Sequence, residues 1–312
     1  MSCEYIYKYL KYKFMKNYEE IFEQIVTQTG EYLKQHNLKS MVLGLSGGLD
    51  STICAAIGKE VSKRYKVKLI GVSLPCGTNS VSEVNIAKLT GEAFCDKYIE
   101  SNIDDLYGLT KYKCDKIVES TNISQGNIKA RLRMIILYNI ASIKNGIVID
   151  TDNLSEHYLG FWTIHGDVGD FKMLGKLWKT EVYKLGKYLI NKYENKMKDS
   201  LKHVFDVDKE HSYNVSLKCI NALKLAIEAI PTDGNGVSKG GDMDQIAPGY
   251  TYNEVDKVLQ YLISDEDKSD KGLEDIANTY FNGDIEIVDK ICDRYNKSKF
   301  KRNKIYVGVN HE

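Results

Sequence analysis

The segment Leu43-Gly44-Leu45-Ser46-Gly47-Gly48-Leu49-Asp50-Ser51-Thr52 concentrates the residue types that cradle a phosphate. Two adjacent glycines let the backbone turn closely around a ligand, so that several amide hydrogens converge on phosphate oxygens. A helix starting just after them adds unsatisfied amides and the positive end of its dipole. The Ser46 and Ser51 hydroxyls can donate further hydrogen bonds. Asp50 is a poor direct partner for phosphate but a good ligand for a magnesium ion that neutralises it. The segment lacks the GK[ST] of a kinase-type phosphate loop, and its spacing fails the GxGxxG dinucleotide fingerprint. Two readings remain at this point: nucleotide binding, which the chemistry favours, and a tight structural turn with a helix cap.

Such a loop needs a strand before it and a helix after it. Ser40 to Leu45 is a short apolar run leading into the turn, and Thr52 to Lys63 carry Ile53, Ala56, Ile57 and Val61 at helical spacing. Residues 17 to 36 have the same period. A second strand is predicted over Lys68–Leu74, stopped by Pro75, and a helix over Val81–Tyr98. A long helix is predicted over 123–143, with Ile128, Leu132, Ile135, Ile136 and Ile140 as its apolar side. The strand Ile147-Val148-Ile149 then delivers Asp150, Thr151 and Asp152 at its carboxyl end, where ligand sites of open α/β sheets lie. The fold class is therefore α/β: an open, mostly parallel, Rossmann-like sheet with helices on both faces and the phosphate loop after the first strand. Residues 191 to 215 read as a polar loop with a short helix. Helices are also predicted over Asn221–Ile230, Glu254–Leu262 and Ile285–Tyr295. Between them, residues 231–249 contain five glycines and no apolar period, as in a loop that closes over a site.

The 312 residues carry 43 basic and 43 acidic side chains, which gives no support to a general polyanion binder; nucleic acid is not an expected partner. The run Lys297, Lys299, Lys301, Arg302 and Lys304 is weak evidence against that. Only three prolines occur, Pro75, Pro231 and Pro248, and each sits at the edge of an element. Seven cysteines without a CxxC pair fit a reducing compartment, so a cytoplasmic location is expected. No apolar run approaches a membrane span, and neither a zinc pattern nor HExxH is present.

The loop SGGLDS resembles the signature of the N-type ATP pyrophosphatases, which activate a carboxylate or carbonyl by adenylation. Later segments, in order, are similar to one branch, the ammonia-dependent NAD synthetase (NAD(+) synthase) family. They are Asn127–Met134, Thr151-Asp152-Asn153 with Glu156, Gly166-Asp167 with Asp170, Lys179-Thr180, Pro231-Thr232, and Tyr252 with Asp256. The resemblance implies an adenine nucleotide alpha hydrolase-like fold and one synthetase domain over 1–312, with helical segments at 1–38 and 252–312 and no glutaminase domain. The implied reaction is amidation of deamido-NAD by ammonia, with ATP as co-substrate and Mg2+ as cofactor, in a homodimer supplied with free ammonia or served by a separate ammonia-supplying protein.

By the same resemblance Ser46, Gly47, Gly48, Asp50 and Ser51 hold the ATP phosphates. Leu74, Thr151 and Thr232 also contact ATP, and Lys179 lies at the phosphates. Asp50 and Glu156 are the implied metal ligands and, with Lys179, the implied catalytic groups. Arg131, His165, Asp170, Lys301 and Arg302 are the implied contacts to the acceptor substrate. Each has a plainer reading. Asp50 can cap a helix, Glu156 can be solvated surface, Arg131 and Arg133 can pair with acids on their helix, and Lys179 can be an exposed lysine opening one. The alternatives for the whole chain are the same amidation acting on nicotinate mononucleotide, another adenylating pyrophosphatase such as a nucleotide amidase or tRNA-modifying enzyme, and a non-catalytic nucleotide-binding paralogue.

Departures from the family pattern gather on the acceptor side. Ser73 stands where an arginine is usual, and Asp150 where a glycine is usual. Ile164 takes the place of a lysine, the segment 166–170 is one residue short, and Phe300 replaces a histidine before Lys301-Arg302. His165 or Lys172 could supply the charge lost at Ile164. The test is Ile164→Lys and the KM for deamido-NAD: a large fall marks the charge as missing, and no change marks it as replaced.

Overall fold

The computed structural model describes residues 17–77, 79–201, 207–228, 246–264 and 270–302. Helix α1 (Tyr18–Gln35) leads to strand β1 (Ser40–Gly44), helix α2 (Leu49–Tyr65), strand β2 (Lys68–Ser73), helix α3 (Val81–Phe94) and strand β3 (Lys97–Glu100). There follow helices α4 (Asp104–Asp115) and α5 (Asn122–Ile143), strand β4 (Gly146–Asp150), helix α6 (Leu154–Leu159) and the two-residue strand β5 (Phe171–Lys172). Helices α7 (Lys179–Leu201), α8 (Val207–Glu228), α9 (Tyr252–Ile263), α10 (Asp270–Tyr280), α11 (Ile285–Lys297) and α12 (Lys299–Arg302) complete the described elements.

The five strands pair in the order β3-β2-β1-β4-β5, and every pairing is parallel. The order runs outward from β1 in both directions, so a crevice opens between the carboxyl ends of β1 and β4. Both faces of the sheet are covered, as the apolar strands require. In β1, Met41 and Leu43 join one core with Phe22, Ile53, Ile57 and Leu185, while Val42 joins a second with Val72, Met134 and Leu137. In β4, Ile147 and Ile149 face the first core and Val148 the second. A third core holds the C-terminal helices against α6, through Leu159, Trp178, Tyr252, Val255 and Phe281.

Several expectations change. The helix predicted to Tyr98 ends at Phe94, because Cys95 turns extended and Lys97–Glu100 add a strand beside β2. The tertiary pairing outweighs local helical period there. On α5 the buried side is Leu132, Met134, Leu137 and Ala141, whereas Ile135 is exposed. Within the expected loop, residues 191–201 are the end of α7 and residues 207–215 the start of α8. Leu189, Tyr193, Cys219 and Ile220 of these helices enter the first core while Lys184, Lys187 and Lys198 are exposed. Helix α4 was not anticipated, and α10 falls within the segment 252–312 expected to be helical. The segment 229–245, with Pro231, Thr232 and most of the glycine-rich loop, lies outside the described residues. Among the described residues no helix is long and apolar enough to cross a membrane.

Leu43 is fully buried in the strand that carries the phosphate loop. Leu43→Ala is expected to cost about 2–5 kcal/mol in urea unfolding, the range for a core leucine.

Candidate active site

The turn after β1 is held by its own hydroxyls. The Gly48 amide donates to Ser46 Oγ at 3.1 Å, Ser46 and Ser51 hydroxyls lie 3.2 Å apart, and Ser51 and Thr52 both donate to the Gly48 carbonyl at 3.0 Å. Gly47 has φ +84°, and a Cβ there would collide with the Glu83 carbonyl. Position 47 therefore admits only glycine without movement of α3. Helix α2 begins at Leu49 with Gly48 as its N-cap, and no side chain caps it. Asp50 lies in the first turn but does not cap the helix.

Instead Asp50 meets groups from two distant segments. Lys179 opens α7, and its buried ammonium donates to Asp50 Oδ2 at 2.6 Å and to Glu156 Oε1 at 3.3 Å. Asn153 Nδ2 donates to Asp50 Oδ1 at 3.0 Å, while Asn153 and Glu156 form a reciprocal capping box at the start of α6. The backbone end of Lys179 is fixed as well. Its amide donates to Ser155 Oγ at 2.9 Å, and Ser155 in turn donates to the buried Asp256 of α9. Thr180 donates to Asp256 through both its hydroxyl and its amide. Burial pushes the Asp256 carboxyl up to about 6 against these hydrogen bonds. Burial also pushes Glu156 up to about 8; Lys179 opposes the shift, and the nearby Asp50 and Asp152 add to it.

Asp50 and Glu156 border a cleft of about 360 Å³ at the carboxyl ends of β1, β2 and β4. Of the nucleotide-side residues, Ser46, Asp50, Ser51, Leu74 and Thr151 line it, as does Glu156, whereas Gly47, Gly48 and Lys179 do not. Asp152, Arg133, Asn79 and Met134 line it too and were not singled out as site residues. Arg133 crosses the apolar end, donating from Nε to the Leu74 carbonyl at 2.9 Å and from Nη2 to Asn79 Oδ1 at 3.1 Å. Its position two residues beyond Arg131, toward another face of α5, was the available signal.

The acceptor-side expectations do not line this cleft. Arg131 donates from Nε and Nη2 to the Ile164 carbonyl at 3.3 and 3.2 Å, which puts a positive charge beside the position where lysine is missing. Asp170 is exposed and accepts from Tyr138 at 2.7 Å; His165 is exposed with φ +56°. Lys301 donates to the Gly160 and Trp162 carbonyls and Arg302 to the Tyr158 and Tyr295 carbonyls, so both buttress the loop after α6. The Lys172 ammonium is paired with Asp150 at 3.1 Å and Asp152 at 3.0 Å.

Among the described residues no cluster of three or more His, Cys, Asp or Glu side chains forms a metal cage. Two carboxylates converging on one cationic position are nevertheless the donor set for an ion that arrives with phosphates, since Mg2+ keeps waters and takes phosphate oxygens as its other ligands.

A phosphate-binding turn at the switch point of a parallel sheet, with two carboxylates and a buried lysine across the crevice, defines a nucleotide-binding α/β protein equipped for phosphate chemistry. The chain belongs to the NAD synthase family, whose model matches residues 21–305. It is 38% identical over 180 residues to the NH(3)-dependent NAD(+) synthetase of Methanocaldococcus jannaschii, a match covering 55% of this chain and 66%, just under two thirds, of that enzyme. It is 28% identical to the enzyme of the same name from Fusobacterium nucleatum over 292 residues, 92% of this chain and 94% of the relative. In fold it is similar to NMN synthetase from Francisella tularensis (TM-score 0.68, 23% identity, 95% of this chain and all of that one). The NH3-dependent NAD synthetase from Campylobacter jejuni has a TM-score of 0.63 at 23% identity, covering 94% of this chain and 100% of that one.

Glu156 holds its proton to higher pH in the folded state than in the unfolded chain, where its value is 4.5. Its contribution to stability is full below that value and is lost as pH rises toward about 8. The thermal midpoint of the protein without nucleotide or magnesium should therefore fall across this range, and Glu156→Gln should flatten the fall. Equal slopes for the two proteins would contradict the assignment.

Proposed function

We infer that this chain is an ammonia-dependent NAD synthetase: it amidates deamido-NAD with ammonia and converts ATP to AMP and pyrophosphate. The observation that carries the reading is the convergence of Asp50, Glu156 and Lys179 on the phosphate loop. In the first step a nicotinate carboxylate oxygen attacks the α-phosphorus of ATP, the bond to the β-phosphate breaks, and pyrophosphate leaves. In the second, ammonia attacks the activated carbonyl, a proton is lost, and AMP leaves. Activation is required because a carboxylate repels nucleophiles and has no good leaving group.

The protein supplies positioning and electrostatics rather than a covalent nucleophile. Ser46, Gly47, Gly48 and Ser51 hold phosphates, Leu74 packs on the base, and Thr151 contacts ATP; Thr232, assigned likewise, lies outside the described residues. Asp50 and Glu156 are the residues that would hold Mg2+, which supplies charge neutralisation of the phosphates. Lys179, released from the two carboxylates, is placed to neutralise charge on the transferring phosphate. Arg131, His165 and Asp170 serve the acceptor directly, and Lys301 and Arg302 serve it by bracing the loop at 158–162.

We also assign the chain as a homodimer. Helices α4 and α5 and the turn between them leave Leu109, Ile117 (88%), Val118, Ile123 (79%) and Ile135 exposed, large apolar side chains of the kind a partner covers. Asp170 hydrogen-bonds Tyr138 of α5, so a partner seated there would adjoin the acceptor loop. The described cysteines are all free, in keeping with a cytoplasmic location.

AMP and NAD formation are to be measured with ATP, magnesium and ammonia and with deamido-NAD, nicotinate mononucleotide or no acceptor. NAD from deamido-NAD, with little AMP from the other two, is expected. Preferential turnover of nicotinate mononucleotide would favour the second reading, which the acceptor-side departures motivate, and AMP from neither would reject an active synthetase.

A further inference from the structure

Asp150 ends β4 as a buried carboxylate, and each of its oxygens is committed. Oδ1 accepts the Asp152 amide at 2.8 Å. Oδ2 accepts the Gly169 amide at 3.1 Å and meets the Lys172 ammonium at 3.1 Å. Lys172 also pairs with Asp152 at 3.0 Å. One side chain thus ties two turns together. The first, residues 151–153, presents Thr151 to the cleft and Asn153 to Asp50. The second, residues 166–170, carries Asp167, which lines the same cleft, and Asp170.

The second turn is also held by Thr163, whose amide donates to Asp167 Oδ1 at 2.6 Å and whose carbonyl accepts the Gly166 amide at 2.8 Å. Tyr138 donates to Asp170 Oδ1 at 2.7 Å, but none of these bonds ties the turn to β4. Strand β5 is only two residues long, and its pairing with β4 consists of Ile149 with Phe171 and Asp150 with Lys172. The Asp170 amide adds one bond to the Val148 carbonyl at 2.9 Å. Backbone packing makes the seat tight: a Cβ on Gly169 would lie 2.7 Å from the Asp150 nitrogen and 2.8 Å from the Val148 oxygen. A short edge strand is secured here by an ion pair between a partly exposed lysine and a buried aspartate that also receives amides from both turns.

We propose that the Asp150–Lys172 pair is a positioning element that fixes the acceptor turn 166–170 against the nucleotide turn 151–153, and so sets affinity for the pyridine substrate apart from affinity for ATP. The catalytic half of this statement rests on the synthetase reading above; the structural half does not. Glycine at position 150 could accept no amide and pair with no lysine, so the arrangement depends on a residue in which this chain departs from the common pattern. Lys172 is partly exposed, whereas Asp150 is not. Burial raises the Asp150 carboxyl, and Lys172 opposes that shift. Removing the carboxylate leaves Lys172 still paired with Asp152 at 3.0 Å but takes away an acceptor shared by the two turns. Removing the lysine leaves the buried Asp150 and its neighbour Asp152 without their common cation.

The test uses Asp150→Asn, Lys172→Met and the double variant in the full chain, with two readouts. Amide hydrogen exchange in the ligand-free protein should rise at least about fivefold over residues 166–172 in Asp150→Asn, with little change over residues 46–51. The KM for deamido-NAD should rise about tenfold while the KM for ATP stays within about twofold. The double variant should lose no more than Asp150→Asn alone, because the Asp150–Lys172 pair is already broken in the single variant. Unchanged exchange over 166–172 overturns the clamp whatever the substrate. Raised exchange with both KM values moving together overturns the positioning role. If the unmodified protein makes no NAD, the synthetase reading and the catalytic half fall together, and exchange alone decides whether the clamp exists.

Discussion

The site is organised by a lysine ammonium shared between two carboxylates that are remote from it in sequence. Lys179 reaches Asp50, 129 residues away, and Glu156, 23 residues away. A buried charge of this kind is stable only while its partners are held in place, and removing one member of such a group typically costs about 3–5 kcal/mol. Much of the surrounding structure can be understood as meeting that requirement. Asn153 holds the second oxygen of Asp50, the capping box holds Glu156, and Ser155 and Asp256 hold the backbone from which Lys179 projects. The C-terminal helices are part of this support, because Asp256 belongs to α9, which packs against α6 in the third core.

The carboxyl end of β4 links these supports to the rest of the cleft. Within seven residues it places Asp150 against the acceptor turn, Thr151 and Asp152 at the cavity, Asn153 on Asp50, and Glu156 on Lys179. The crevice lies where the strand order reverses, so one strand end faces both the phosphate loop of β1 and the loop beyond α6. In the proposed reaction, both the nucleotide side and the acceptor side are thereby referenced to a single strand.

The phosphate loop is legible in sequence because its chemistry is local: the glycines, the serines and the helix start lie within a few residues. The central strands are legible for the same reason, and the alternation of Met41, Val42 and Leu43 between two cores follows from the pleat. What sequence conceals is tertiary. β3 reads as helix because only its pairing with β2 makes Lys97–Glu100 a strand. The polar run at 191–215 reads as a loop because its core-facing Tyr193, Met197 and Val215 are sparse among charges. The duties of Asn153, Ser155 and Arg133 are invisible without the fold, since each acts on a group contributed by another segment. Lys172 is the sharpest case: its charge suggested a substrate contact, and in the fold it pairs with two aspartates.

The central claim is that this cleft activates a nicotinate carboxylate by adenylation. The most direct measurement follows oxygen-18 from the carboxylate of deamido-NAD during turnover with ATP, magnesium and ammonia. One labelled oxygen should appear in AMP for each NAD formed, and none in pyrophosphate. Unlabelled AMP, or label in pyrophosphate, would contradict the account.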